Sequence, residues 1–486
     1  MAATEEGPGG PFSGARAVRT LSIAGGALGL VVCLLWGLGV YVPAETTVRA
    51  AETALRGSDS VLSTTVAYTV YMPLVARDFE LRLDPNDPMF LAGQQCALEK
   101  VRAPGAWYIS QGHGITVAVV DTGVELSHAD LADGLWSNGG EIAGNGVDDD
   151  GNGYVDDVYG WDFADGDNGP WDEHGHGTHV AGIVGATTDN GIGVAGMGWG
   201  VTVMPVRVLD ATGNGSDWEV AQGIRYAVDN GAQVVNLSLG GAGGGDALEQ
   251  AVQYAQGKGA LVIAAAGNWG VSMPFYPAYY AGVIGVSATD ESDARPSFSN
   301  YGSYVDIAAP GDNILSTKPA PVDYGLLDGT SMATPMVSGL AALLWTEHPS
   351  ATSTQVWAAI QDGAEDLGSP GWDPYFGWGR IHAPNSLYSG SIVGSQAQEP
   401  RLDTALPITH TALFPVEFRP GEVIVSVRGA HLALAEGWSV IARDTRAGVY
   451  LIRVPIGEEI ASAQALQARP DVVYAHPNHV LSVAGY

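Results

Sequence analysis

Between Asp84 and Leu387 the chain alternates short apolar runs with glycine-rich turns and segments of helical period. ITVAVV (Ile115–Val120) is β-branched and apolar at every position, as a strand buried on both faces of a parallel sheet must be. VTVMPVRVL, AQVVNLSL, GALVIAAAG and GVIGVSA (Gly282–Ala288) repeat the theme, and WEVAQGIRYAVDNG (Trp218–Gly231) between two of them has helical spacing. Strand–helix alternation predicts βαβ units, hence an α/β domain over 85–388 with a doubly wound, mostly parallel sheet. Residues 389–415 read as a Gly/Ser/Gln/Pro linker. From about Val416 the pattern restarts as strands (GEVIVSVR, WSVIARD, GVYLIRVP), a helix (EEIASAQALQAR) and a β-rich close, which predicts a small C-terminal α+β domain of ferredoxin-like type over 416–486.

The N-terminal pattern is different. Leu21–Val42 carries no charge, follows Arg16 and Arg19, and is long enough to span a bilayer, so it reads as a transmembrane anchor or signal segment. Residues 1–20 are then a cytoplasmic tail and 43–84 a spacer. Both readings place the rest of the chain outside the cell, at its surface or free.

Charge narrows the function. The 486 residues carry a formal net charge of −32, which excludes nucleic-acid binding for want of a basic face. Such a surface favours solubility and cation binding, and equally suits a saline or hot habitat. With only Cys33, inside the apolar run, and an isolated Cys96, no intrachain disulfide is expected.

Candidate chemistry lies where a doubly wound sheet puts it, at the carboxyl ends of strands and the starts of helices. In VAVVDTG, Asp121 directly follows a buried strand. In DEHGHGTHVAGIV, His174, His176 and His179 fall within six positions; this allows a metal cluster, although HExxH spacing is missing, or a helix start with His176 held at its mouth by glycines. In DGTSMATPMVSGLAALLW, Ser331 sits between Gly329 and Ala333 at the head of an apolar helix, where backbone N–H groups favour developing negative charge.

Asp, His and Ser in this chain order is the order of subtilisin. Residues 85–388 resemble the subtilases, the subtilisin-like serine peptidases, through AVVDTGVELSHADL, HGTHVAG, NLSLGG, AAAGN and GTSMATP. The resemblance implies that Ser331 is the nucleophile, His176 the general base and acid, Asp121 its orienting partner, and Asn268 the side-chain donor to the oxyanion. It implies that protein or peptide substrates add as a β-strand along Ser238, Leu239 and Gly240. Ala264 to Gly267, including Ala266 and Gly267, would wall a first pocket suited to large apolar side chains. The competing class is a non-catalytic peptide-binding or surface-adhesion protein on the same scaffold.

Two calcium sites are expected. In NGVDDDGNGYVDD (Asn145–Asp157), Asp148, Asp150 and Asn152 alternate and Gly153 stands sixth, as in an EF-hand-like loop, but Tyr159 holds the twelfth position, so Asp156 or Asp157 must substitute. By resemblance, Asp130 and Asn190 with backbone near Ile192 and Val194 form a second, structural site. The C-terminal domain resembles the subtilase propeptide, an inhibitor and folding chaperone, through GEVIVSVR and PDVVYAHPNHV. The family places that module before the catalytic domain, whereas here it follows, and Gly429–Gly437 leaves little room for the module's first helix. The resemblance implies self-inhibition, with Tyr486 in the first pocket and Val483 in the apolar pocket three residues earlier; the alternative is a passive structural cap or adhesion unit with a free tail.

Overall fold

A strand apolar on both faces needs cover on both, and the two helical layers of this protein supply it. The computed structural model describes residues 81–394, 416–428 and 432–483, and those from Arg82 onward form one compact unit. The strands are β1 (Thr116–Asp121), β2 (Trp161–Asp162), β3 (Thr202–Arg207), β4 (Asn214–Ser216), β5 (Val234–Leu237), β6 (Leu239–Gly240), β7 (Leu261–Ala265), β8 (Ile284–Thr289), β9 (Ile307–Pro310), β10 (Ile314–Thr317), β11 (Tyr324–Leu327), β12 (Phe418–Val427), β13 (Ser439–Asp444), β14 (Val449–Arg453) and β15 (Val472–Val483). The longer helices are α1 (His176–Gly185), α2 (Asp217–Asp229), α3 (Asp246–Gly257), α4 (Thr330–Glu347), α5 (Ser353–Gly363) and α6 (Glu459–Gln467).

The central sheet has seven strands in the order β2-β3-β1-β5-β7-β8-β9, all paired in parallel. Alternation divides its side chains. Val117, Val119, Val203, Val234 and Ile263 join α1 and α4 in one core, while Ala118, Val120, Met204, Val206 and Val235 join α2 and α3 in the other. The chain leaves β1 in one direction toward β3 and returns in the other toward β5. That reversal opens a crevice at the carboxyl end of β1, where Asp121 is the last residue.

The C-terminal unit is an antiparallel sheet in the order β13-β14-β12-β15. Val423, Val425 and Val427 of β12 face α6 with Ala463 and Leu466. Ile424, with Val449, Leu451 and Tyr474, packs instead against Ala247 and Trp218 at the starts of α3 and α2. The short β12–β13 connection contains no helix among its described residues, as its length predicts.

The apolar run at 21–42, Cys33, most of the linker and Tyr486 lie outside the described residues. No helix among the described residues is long and apolar enough to cross a membrane. Cys96 is a free, exposed thiol.

Candidate active site

Asp121 and His176 meet at the crevice, and Ser331 heads α4, which packs against α1. All three are buried. The Nδ1–H of His176 donates to Oδ1 of Asp121 at 2.7 Å, which fixes the tautomer and leaves Nε2 facing the crevice. Only a glycine lets α1 approach β1 this closely, because a Cβ on Gly177 would lie 2.1 Å from the Gly123 carbonyl oxygen.

Asp172 organises the turn before α1. Its Oδ1 accepts from the amides of His174 and Gly175, at 3.0 and 2.7 Å, and from the Thr122 hydroxyl at 2.8 Å. Its Oδ2 accepts from the amide and hydroxyl of Thr178, at 2.8 and 2.6 Å. Thr122 Oγ1 in turn accepts from Gly177 N–H at 2.9 Å. One buried carboxylate thus ties the Asp121 segment to the His176 helix. Reading the sequence missed it, because its partners are backbone amides that only the turn brings together.

The other histidines do not build a metal centre. His179 points away from the crevice, with Nε2 at 3.0 Å from the carbonyls of both Ile314 and Gly325, and burial pushes its pKa down to about 3. His174 is half-buried, and burial and the neighbouring His176 lower its pKa. The two histidine rings stand 6.3 Å apart.

Ser331 occupies the first turn of the 18-residue α4. Its Oγ donates to the Ser238 carbonyl at 3.0 Å, and the Ser238 hydroxyl donates to the Ser331 carbonyl at 2.8 Å, so Ser331 and the segment leading into β6 are stapled reciprocally. The Asn268 side-chain oxygen accepts from Thr330 N–H and Oγ–H at 2.8 and 2.9 Å. This orients Nδ2 toward Gly329, where a Cβ would lie 2.9 Å from it; the φ of +147° there also favours glycine. Asn268 Nδ2 and the amide of Ser331 therefore flank the same small space.

Leu239 and Gly240 form the edge of β6 that pairs with β15, and Ser238, Ala266 and Gly267 are buried. The Ala266 carbonyl accepts from Asn300 Nδ2 and the Tyr304 hydroxyl at 2.9 and 3.0 Å, and Phe275 packs under Gly240 and Gly267. The opposite side is β4, a polar strand that no apolar pattern announces. The cleft between them is filled by the chain's own β15, antiparallel to both: Ser482 pairs with Asn214 and Gly240, Val483 with Leu239, and Val483 N–H donates to the Gly213 carbonyl at 2.9 Å. Leu481 and Val483 are buried in the peptidase core. Val483, paired with Leu239, lies beside Gly213 and His174.

The expected cation ligands are only partly brought together. Asp130 is fully buried; its Oδ1 accepts from Asn190 Nδ2 at 2.8 Å and its Oδ2 from Val194 N–H at 2.9 Å, while Ile192 N–H donates to Asn190 Oδ1. Beside it stands Asp87, also fully buried, which accepts from the amides of Asp189 and Asn190 and was not singled out from sequence. Burial pushes both carboxyls above their usual range. In the acidic loop the side chains divide between backbone turns and one carboxylate cluster. Asp148 accepts from the amides of Gly151, Asn152 and Gly153, and Asp156 from those of Asn145 and Gly146. Asp150 and Asp157 converge instead with Glu141, their ligand atoms within 4.8 Å of one another, while Asn152 hydrogen-bonds both aspartates.

Comparison with known proteins agrees with this geometry. The family model described as the subtilase family matches residues 112–379. Thermitase of Thermoactinomyces vulgaris is 46% identical over 299 residues, covering 62% of this chain and 97% of the relative. The thermophilic serine proteinase of Bacillus sp. strain AK1 is 41% identical over 310 residues, covering 64% and 70%. Subtilisin Savinase of Lederbergia lenta is 40% identical over 301 residues, covering 62% and 96%.

Proposed function

The chain belongs to the subtilase family and is a subtilisin-like serine endopeptidase, and we propose that it acts outside the cell, through Asp121, His176 and Ser331, under restraint from its own C-terminal domain. In this reading a peptide enters as a strand between β4 and β6. Ser331 Oγ attacks the carbonyl carbon as His176 Nε2 takes its proton, and the proton then passes to the leaving amine. Asp121 holds the imidazole by Nδ1 and stabilises its cationic form. Asn268 Nδ2 and the Ser331 amide receive the oxyanion at the positive end of α4. In subtilisin the loss of such a side-chain donor costs about 2.7–4 kcal/mol of barrier. The small residues at Ala264–Gly267, with no acid among them, suit a large apolar side chain before the cut bond.

The observation that carries the restraint is β15, seated in the cleft as an antiparallel strand with Val483 next to the catalytic histidine's turn. A strand in that place excludes a substrate strand. The enzyme is then a zymogen whose C-terminal domain must be released, most simply by a cut within 389–415. Calcium belongs to the same reading. Asp87, Asp130 and Asn190, with backbone of the 190–194 loop, offer buried oxygens that a hard cation would neutralise, and the bound ion would lock that loop. The test is peptidase activity and intact mass of residues 43–486, wild type beside Ser331→Ala, with a serine-directed phosphonate as label. Activity that rises as the 389–415 segment is cut, in wild type only, supports the reading. Full activity of an uncut chain defeats the restraint, and absence of both label and activity after removal of residues 416–486 defeats the catalysis.

A further inference from the structure

We propose that Asp217, His476 and His479 form a site for a divalent transition metal, zinc by preference, that clamps the C-terminal domain to the peptidase. Asp217 is the first residue of α2 in the peptidase, and both histidines stand on β15. One ligand atom from each of the three lies within 4.8 Å of the other two. Asp217 Oδ2 is 2.7 Å from His479 Nδ1 and 3.9 Å from His476 Nδ1. Ligand atoms about 2.0–2.2 Å from a tetrahedral zinc ion stand roughly 3.4 Å from one another, so these separations need only small side-chain shifts. Three positions apart on a regular strand, the two histidines would face opposite sides. Here the β12–β15 ladder is irregular between the Val423–Pro477 and Phe418–His479 pairs, and the two imidazole ring centres lie 5.5 Å apart.

Two further observations point to a ligand at this place. Asp217 is fully buried, yet among the described residues its Oδ1 has no hydrogen-bond partner. A buried carboxylate oxygen left so is costly, and a cation supplies what it lacks. Gly245, at the start of α3, has a φ of −112°, which any residue adopts. Space requires the glycine instead: a Cβ there would collide with His476 Cε1 and Nδ1 and would lie 2.6 Å from Asp217 Oδ2. The donor set decides the metal class. Two imidazoles and one carboxylate suit zinc and its neighbours, whereas calcium and magnesium take oxygen ligands. Three protein ligands leave one position for water, and both histidines keep a solvent edge, their side chains 11% and 14% exposed. His476 Nε2 accepts from Ala247 N–H at 3.2 Å, and its Nδ1 lies 2.8 Å from the Pro477 carbonyl. Coordination at Nδ1 needs the Nε2–H tautomer and so gives up the long bond from Ala247. Ligands drawn from both domains meet only in the docked chain, so the metal favours docking by mass action. The site rests on these contacts alone; its effect on peptidase activity rests on the restraint proposed above.

The experiment titrates Zn²⁺ and Co²⁺ into the full-length Ser331→Ala chain, stripped of transition metals and held in excess calcium. Calorimetry should show one zinc per chain, and the Co²⁺ form should show the intense visible absorption of a four-coordinate ion. Further substitution by His476→Gln, His479→Gln or Asp217→Asn should in each case lose that site. Amide exchange at Leu481–Val483 should slow about 100-fold when free zinc is 100 times its Kd. Exchange without zinc shows which variants still dock, and one that docks yet no longer binds zinc identifies a ligand directly. X-ray absorption on the zinc form of the Ser331→Ala chain should count two imidazoles, a readout that no folding defect of a further variant can move. Zinc binding that survives all three substitutions, displacement of zinc by calcium, a different imidazole count, or a docked chain with no one-to-one site overturns the inference. Uncut wild type that hydrolyses a peptide equally with and without zinc, while zinc binds as stated, upholds the site and defeats the restraint.

Discussion

Replacing His479 with alanine should loosen the C-terminal domain from the peptidase. Asp217 opens helix α2 and is fully buried under β15. Its Oδ2 accepts from His479 Nδ1 at 2.7 Å, with His476 Nδ1 at 3.9 Å, and its Oδ1 has no hydrogen-bond partner. His476 is committed elsewhere, because its Nε2 accepts from Ala247 N–H at 3.2 Å and its Nδ1 lies 2.8 Å from the Pro477 carbonyl. Loss of the His479 imidazole therefore leaves a buried carboxylate without a donor, whereas undocking returns it to water. Leaving a buried acceptor without its donor costs about 1–3 kcal/mol, and each ~1.4 kcal/mol is tenfold. The docked-to-undocked ratio should fall roughly 5-fold to 150-fold. Two assays read it: residual peptidase activity of the uncut chain, and hydrogen exchange of the Leu481–Val483 amides in a Ser331→Ala background. The double variant with Asp217→Ala should be milder than His479→Ala alone, since no unpaired charge remains. Unchanged exchange and activity in His479→Ala, or strict additivity of the two substitutions, would refute this reasoning.

Asn268→Ala should lower kcat by about 10²–10³ with little change in KM, and Gly329→Ala should act in the same direction by pushing its Cβ onto Asn268 Nδ2; an effect on KM alone would contradict the donor role. Chelation should lower Tm and added calcium restore it, with saturation at 100 times Kd worth about 2.7 kcal/mol; melting of Asp87→Asn should lose its response to the chelator, and identical curves with and without chelator would remove the cation from the 190–194 loop. Acid should destabilise the peptidase through His179. Its pKa in the folded state, about 3, lies below the ordinary 6.5, so the stability it contributes is present above about 6.5 and is lost as pH falls toward 3. In a Ser331→Ala background, His179→Gln should melt lower at neutral pH but show a shallower fall in Tm between pH 6 and 4, and an equal slope would assign the acid lability to other groups.

The sheet was legible because parallel strands buried on both faces must be apolar throughout, so ITVAVV and its counterparts announced themselves. Asp121, His176 and Ser331 were legible as candidates because each sits in a short motif with glycine or other small residues beside it. What sequence did not show depends on partners distant in the chain. β4, Asn-Gly-Ser, is a strand only because β15 lies against it. Asp172 matters through amides that converge in a turn, and Asp87 through amides about a hundred residues away. In the acidic loop, sequence reading singled out the alternating aspartates but not Asn138 and Glu141, which precede the motif and hydrogen-bond its residues.

The architecture also couples docking of the C-terminal domain to its own folding. Its described part, from 416 to 483, is small enough that a single core leaves little stability to spare. One face of its sheet is covered by α6. The other face, Ile424, Val449, Leu451 and Tyr474, is covered only by the peptidase at Ala247 and Trp218, and the end of β15 finds its hydrogen-bonding partners in β4 and β6. Undocking therefore exposes an apolar sheet face and an unpaired strand edge at once, both marks of a segment open to proteolysis or association. Under the proposed restraint, a domain so built would inhibit while seated and become a substrate once it leaves. A cut in the linker that permits departure should then let the enzyme degrade the released domain, which would make activation irreversible without any change in the peptidase itself. Domain 416–486 expressed alone should accordingly show weak, non-cooperative melting and gain a cooperative transition on mixing with the Ser331→Ala peptidase; a cooperative melt in isolation would break the coupling.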